Sequence, residues 1–448
     1  MTGMPSEPPF ALRARLLSPT ADGAMLDEVD GLLEVDAAGR IARISRSRGG
    51  ETLPEGVIDL RPMVVLPGLV DLHAHLPQLP NAGLGSGLDL LTWLDRYIFP
   101  LERAYERSVA ERQAPAAFRA FAAAGTTTLV AYAAVWPEST DAAFAAAEAH
   151  GIRAVIGKVM MDRLTYDPEI DRTDILDTSL RQSDDLASRW HGRDDGRLRY
   201  AFTPRFAVSC SAEMLRESAA LAARHGAYWQ THLSEDEGEM DEVRRLFPEA
   251  RDYLDVYDRA GGLGARTILA HAIHLSEREV ARLVESGSSV AHCPASNLFL
   301  SSGMMPLGAY RGAGMRVGLG SDVAAGPEVS LFTVMRAGAV TQRALELTGR
   351  ANRADAVRPA DWLRLGTLDG ARVLGLDDAI GSIEMGKEAD LIAVDPRLTT
   401  PLPGDEPPIA SADEILSRLI FRPHPNMVRA AWVRGHLLAG PPGPDGIG

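Results

Sequence analysis

Two histidines one residue apart, His73 and His75 in Pro67-Gly-Leu-Val-Asp-Leu-His-Ala-His-Leu-Pro-Gln78, are the residues of this sequence best placed to do chemistry. The apolar run Met63 to Leu72 leads into them, and the period of two in a β-strand sets both imidazoles on one face at the strand's end. A pair of neutral imidazoles suits a borderline cation such as zinc, but two ligands do not make a site. The remaining ligands must come from later in the chain, and their identity decides the chemistry.

The elements that would position them follow from the hydrophobic pattern. From Val64 onward short apolar runs alternate with helical stretches: strands at Thr126 to Val135, Ile152 to Met161, Arg199 to Thr203, Tyr228 to His232, Thr267 to His271, Ser289 to His292 and Arg316 to Ser321. Helices are expected over Leu88 to Ala124, Glu138 to His150, Asp174 to Trp190, Ala212 to His225, Glu235 to Ala260 and Glu277 to Ser286. With the first strand this makes eight βα units, the signature of a closed (β/α)8 TIM barrel. Such a barrel collects its reactive groups where strands end and loops begin.

Of 11 histidines, His73, His75, His232, His271 and His292 end apolar strands, and Asp322 does so after Gly318-Leu-Gly-Ser321. The other six read as solvated or structural. His73, His75, His232 and Asp322 make a four-ligand shell that fits zinc with a bound water, whose pKa such sites lower to about 7. Glu235, three residues after His232, can take that water's proton, whereas Asp236 and Glu237 read as acids at a helix N-terminus. His271 can orient or polarise the substrate or the water, with metal contact left open. His292 reads as structural or as supporting a ligand from behind. Cys293 reads as a buried small residue.

Composition bounds the rest. The 448 residues, 46% hydrophobic and 24% charged, describe a globular chain. A net charge of -15 argues against a nucleic acid or an anionic membrane as partner. With only Cys210 and Cys293, no disulfide framework can form, and a reducing cytoplasm is expected. The first residues lack a signal-peptide pattern, and no apolar stretch is long enough for a bilayer. At both ends the pattern turns to short strands: Ala24 to Leu26, Gly31 to Val35, Ile41 to Ile44 and Val57 to Leu60, then Gly381 to Asp395 and Val428 to Leu438. These ends are expected to form one composite β domain from residues 1–65 and 376–448, around a barrel spanning 66–375. Residues 400 to 425 read as loop, and the tail from Gly440 as a disordered end.

The residues together are similar to the amidohydrolase superfamily and, within it, to the zinc-dependent guanine deaminases of the barrel type. The likeness covers roughly residues 60 to 395 and implies a distorted (β/α)8 TIM barrel with a small flanking β-sandwich built from both chain ends. It is carried by His73-Ala-His75-Leu-Pro-Gln78, Leu91-Thr-Trp-Leu94 with Tyr97-Ile-Phe-Pro100, Gly157-Lys-Val-Met-Met-Asp162 and Thr203-Pro-Arg-Phe206. Thr231-His-Leu-Ser-Glu235, Tyr253-Leu-Asp-Val-Tyr257, Ala270-His271, His292-Cys-Pro-Ala-Ser-Asn297 and Gly318-Leu-Gly-Ser-Asp322 belong to it as well. The resemblance implies hydrolysis of guanine to xanthine and ammonia, one zinc per chain and a homodimer. It also implies a purine pocket lined by Gln78, Arg205 and Phe206 with His232, Glu235 and His271, and catalytic roles for Glu235, His271 and Asp322. An Arg fork matches the adjacent O6 and N7 acceptors of guanine, and Phe offers a stacking face. Lys158 is expected to be structural rather than a carbamylated bridge between two metals. The chain departs from the family at Leu72 and in Val323-Ala-Ala-Gly-Pro327, so a related amino-heterocycle (8-oxoguanine, a pterin or a triazine) is the alternative substrate. A metal-free scaffold is the remaining reading.

Overall fold

The computed structural model describes residues 4–47, 56–163, 172–352, 356–402, 404 and 411–438. The chain opens with β1 (Phe10–Pro19), β2 (Met25–Val35), β3 (Ile41–Arg46) and β4 (Val57–Pro67). Three expectations change here. β1 was not among the expected strands, because Arg13 and Arg15 interrupt its apolar pattern. Ala24 to Leu26 and Gly31 to Val35 are one strand rather than two, and Val57 to Leu60 continues to Pro67. Cross-strand ion pairs resolve the charges: Arg13 meets Asp30 at 2.6 Å and Arg15 meets Asp27 at 2.8 Å.

After Gly68 the near-continuous apolar runs form β5 (Leu69–His75), β6 (Thr126–Tyr132), β7 (Arg153–Gly157), β8 (Val159–Met160), β9 (Leu198–Pro204), β10 (Tyr228–Leu233), β11 (Thr267–His271), β12 (Ser289–His292) and β13 (Arg316–Leu319). Eight of them pair in parallel in the order β5-β6-β7-β9-β10-β11-β12-β13, with the two-residue β8 on β9, so the expected third strand is split at Lys158. Strands buried on both faces need no alternation of polar residues, which is why they read as unbroken apolar stretches. The ring is joined beyond β13, where the Asp322 N–H donates to His73 O at 2.7 Å and the His75 N–H to Val323 O at 3.0 Å. At the opposite mouth Ala371, Val373 and Leu374 plug the interior against Val70, Leu72 and Val130.

Helices wrap the barrel between strands and start and stop on local signals. Ser211 caps Ala212–His225, Ser276 forms a capping box with Glu279 at Glu277–Ser286, and Gly226 and Gly287 end these helices in the left-handed region. The helical region expected over Leu88 to Ala124 is broken, with short turns from Leu90 to Arg103 and a helix at Arg107–Ala123.

The chain returns through β14 (Leu391–Val394), β15 (Val428–Val433) and β16 (His436–Leu437) to complete a seven-stranded mixed sheet, β16-β15-β14-β4-β1-β2-β3, built from both chain ends. Alternate residues serve two cores: Val64, Leu66, Ile392 and Val394 pack toward the barrel, while Met63, Val65, Leu391 and Ala393 join Leu12, Leu33 and Trp432 on the other face. That second face is enclosed because the sheet bends back on itself, Ile41 N donating to Lys387 O and Ala389 N to Gly39 O, each at 2.8 Å. Within 400–425, expected as loop, a helix runs over Ala412–Phe421. It buries Ile415, Leu416, Leu419 and Ile420, an i, i+1, i+4, i+5 stripe masked by the Pro-rich residues before it. The tail from Gly440 lies outside the described residues.

Candidate active site

An irregularity in β5 brings His73 and His75 into the barrel. Asp71 pairs with Leu129 and Ala74 with Ala131, three steps on β5 against two on β6, so one residue is inserted between them. Val70 and Leu72 face the interior below this bulge. By strict alternation His73 and His75 would point outward; the inserted residue turns them inward. Asp71 holds the bulge, its Oδ1 accepting from His73 N at 3.2 Å and from Ser321 N at 2.9 Å. His271 (φ 71) at the end of β11 and Asp322 (φ 49) three residues beyond β13 lie in the left-handed region, a strained conformation that re-aims both side chains into the same mouth.

The expected ligands converge. His73 Nε2 lies 3.3 Å from His75 Nε2, which lies 3.3 Å from His232 Nε2. Asp322 Oδ1 is 3.1 Å from His73 Nε2 and 3.4 Å from His75 Nε2. Ligands about 2.0–2.1 Å from a tetrahedral zinc are separated by about 3.3–3.4 Å, so these atoms are spaced as the corners of one coordination sphere. Among the described residues two overlapping groups could hold a metal ion, His73 with His75 and Asp322, and His73 with His232 and His271. The tautomer suits it: His232 Nδ1–H donates to Arg205 O at 2.6 Å, leaving Nε2 with its lone pair toward the cluster. Burial keeps the imidazoles neutral, lowering His73, holding His232 well below its ordinary value and bringing His75 down to about 4. Burial opposes ionisation of Asp322, but His73 and His75 outweigh it and hold the carboxyl well below its usual range.

His271 stands beside this cluster. Its Nδ1–H donates to Asn297 Oδ1 at 2.9 Å, and its Nε2 faces Glu235 Oε2 at 3.3 Å and Asp322 Oδ2 at 3.8 Å. Glu235 is 2% exposed; burial first, then the charge of Asp322, pushes its carboxyl well above the ordinary value. The helix-capping role considered for its neighbours belongs to Asp236, which accepts from Gly238 N and Glu239 N at the start of Glu237–Leu246.

A pocket opens above these groups, lined by His75, Gln78, Arg205, Phe206, His232, Glu235, His271 and Asp322. His292 and Cys293 do not line it. Sequence reasoning missed Leu90, Trp93, Leu94 and Leu300 as its apolar wall, whereas Ala325, in the loop Val323 to Pro327 where the chain departs from the family, lines it as that departure suggests. It also missed the supports. Ser302 Oγ–H donates to Glu235 Oε1 at 3.2 Å. Glu239 Oε2 accepts from Glu235 N at 2.9 Å, while Glu239 Oε1 accepts from Tyr253 OH at 2.7 Å. Tyr257 OH donates to His232 O at 2.7 Å. The Tyr253-to-Tyr257 motif therefore backs both Glu235 and His232, a role its local sequence does not signal. Glu102, buried beneath Gln78 and Arg205, had no signal beyond following Tyr97-Ile-Phe-Pro100.

Lys158 stands apart. Its Nζ donates to Ser179 Oγ at 2.9 Å on the outer helix Arg172–Trp190, and burial brings its pKa down to about 7. A lysine whose folded pKa is depressed costs stability below its unfolded value, fully so below about pH 7, and the cost fades as pH rises toward about 10. Lys158→Met is accordingly expected to stabilise the fold by about 1–3 kcal/mol at pH 7 and by less at pH 9.5, with metal content unchanged. Denaturant titrations at the two pH values check the sign, and loss of metal would instead assign the amine to the metal centre.

Comparison with known proteins agrees with this geometry. The sequence model of the Amidohydrolase family matches residues 64–438. A probable guanine deaminase of Deinococcus radiodurans is 37% identical over 419 residues, covering 91% of this chain and 92% of that protein. The structure of a guanine deaminase from C. acetobutylicum, with guanine bound in its active site, superposes with a TM-score of 0.86 at 28% identity over 96% of this chain and 99% of the other. An adenosine deaminase from Xanthomonas campestris with bound zinc superposes with a TM-score of 0.79 at 26% identity over 97% and 93%. Matched by the family model over most of its length, with its His and Asp cluster at the mouth of the barrel, this chain belongs to the amidohydrolase family.

Proposed function

We propose that this protein is a zinc-dependent guanine deaminase, converting guanine and water to xanthine and ammonia, with one zinc per chain held by His73, His75, His232 and Asp322. The observation that carries the reading is that Gln78, Arg205 and Phe206 line the same cavity as His75, His232, Asp322, Glu235 and His271. A metal held there supplies Lewis acidity and lowers the pKa of a coordinated water toward about 7. Arg205 offers N–H donors to the O6 and N7 acceptors of the purine, and Phe206 presents a ring face beside it. Glu235, 3.3 Å from His271 and held protonatable by burial, takes a proton from the attacking water and passes it to ring N3. Asp322 takes the second proton and delivers it to the amino nitrogen as the C2–N bond breaks and ammonia leaves, while His271 orients the water or steadies the oxygen.

A cytoplasmic setting suits the chain, whose two cysteines are free and buried. Among the described residues no helix is long and apolar enough to cross a membrane. The homodimer stays part of this reading, with exposed Val340, Leu347 and Phe421 as apolar surface available to it. The test is loss of guanine's ultraviolet absorbance, with ammonia released, on incubation with protein whose metal is counted by plasma emission. One zinc per chain and guanine turnover are expected; two zincs per chain would overturn the mononuclear site. Because Ala325 lines the cavity where the family sequence differs, the panel includes 8-oxoguanine, a pterin and a triazine. Turnover of one of these without guanine would reassign the substrate.

A further inference from the structure

Glu102 is wholly buried, on the short helix Phe99–Arg103, and touches neither the metal cluster nor the cavity. Its two carboxylate oxygens are divided: Oε1 accepts from Gln78 Nε2 at 2.7 Å, and Oε2 accepts from Arg205 Nη1. Phe99, three residues earlier, lies under the same guanidinium with 5.4 Å between Arg205 Cζ and the ring centroid. An ionised carboxylate can only accept hydrogen bonds, so Gln78 must turn its amide nitrogen toward Glu102. The amide oxygen is left for the cavity that Gln78 lines. Arg205 in turn can only donate. The backbone of Arg205 is also tied to the metal cluster, its carbonyl accepting from His232 Nδ1 at 2.6 Å and from Thr231 Oγ1 at 3.1 Å.

We propose that Glu102 is the positioning residue that sets the hydrogen-bonding polarity of the pocket. By clamping Gln78 and Arg205 in one orientation it presents an acceptor beside donors, and so selects a heterocycle whose edge offers a donor next to an acceptor, as a lactam N–H and C=O do. The inference rests on the guanine reading above and deepens it.

The test compares hydrolysis of guanine with that of 2-aminopurine, which keeps the reacting 2-amino group but lacks the 6-oxo acceptor and the N1–H donor. Pocket groups left unpaired make wild type prefer guanine strongly. In Glu102→Gln the neighbouring amide can present either end, Gln78 is free to turn over, and Arg205 loses its charged partner. The expected result is a kcat/KM for guanine lower by about 100-fold, mostly through KM, with the guanine to 2-aminopurine preference reduced at least about tenfold. A residue that merely supports the barrel would lower both substrates by one factor, and an unchanged preference would overturn the proposal. Should Glu102→Gln fail to fold, Glu102→Asp, which keeps the charge but is too short to reach both partners, carries the same comparison. Wild type inactive on guanine would overturn both this inference and the reading beneath it. Wild type active with an unaltered preference in the variants would sink this inference alone.

Discussion

Glu235→Gln is expected to lower kcat for ammonia release from guanine by about a thousandfold, with KM within about threefold and metal content unchanged. The amide keeps the shape of the side chain and its contact with Ser302, but it can no longer take a proton. Glu235 stands 3.3 Å from His271, on the wall of the cavity and outside the metal-sized groups of side chains. Its carboxyl, raised by burial and by Asp322, holds a proton more readily than an ordinary glutamate, as a proton-transferring group must. If Glu235 acted only as a helix-start acid, the substitution would leave kcat almost untouched. The cap is already supplied by Asp236 and Glu239. Steady-state kinetics with metal analysis on the same preparation separates the two.

Asp322→Asn is expected to remove the metal and the activity together. Asp322 is the anionic corner of the cluster, 3.1 Å from His73 and 3.4 Å from His75, and 4% exposed. With an amide there, three neutral imidazoles remain and the proposed ligand shell has no anion to balance a divalent charge in a buried site. Loss of outer supports to a metal ligand already costs about 10–100-fold in affinity, so loss of this ligand should cost at least about 100-fold. Dialysis against a chelator followed by plasma emission reads the metal, and ammonia release reads the activity. An Asp322→Asn protein that kept a full equivalent of zinc and turned over guanine would remove Asp322 from the ligand set.

How much of the molecule was legible depended on whether the signal was local. The strand ends were: Thr267 to His271 and Ser289 to His292 coincide with β11 and β12, because a parallel strand buried on both faces must be a continuous apolar run. Helices with caps, such as Ala212–His225 and Glu277–Ser286, were legible for the same reason. β1 was not, since Arg13 and Arg15 look like a break until Asp30 and Asp27 appear across the sheet. The helix Ala412–Phe421, of the same length as Glu277–Ser286 and with its own capping box, was hidden because the Pro-rich residues before it drew the whole stretch into a loop reading.

At the site, the sequence by itself determined which residue types stand at strand ends and at what spacing: the His73 and His75 pair, His232, His271, Glu235 and Asp322. Arg205, Gln78 and Phe206 came from family motifs, and the structure places them on one cavity with the others. Only the tertiary structure decided how these groups face. The inserted residue between Asp71 and Ala74 turns two histidines inward, and a bulge is a mismatch between two strands that neither strand reveals alone. Asn297 behind His271, Tyr257 behind His232 and Glu102 behind Arg205 are partners 26, 25 and 103 residues away along the chain. Hydrogen-bond polarity is a property of the pair, so it is fixed only when folding brings both members together.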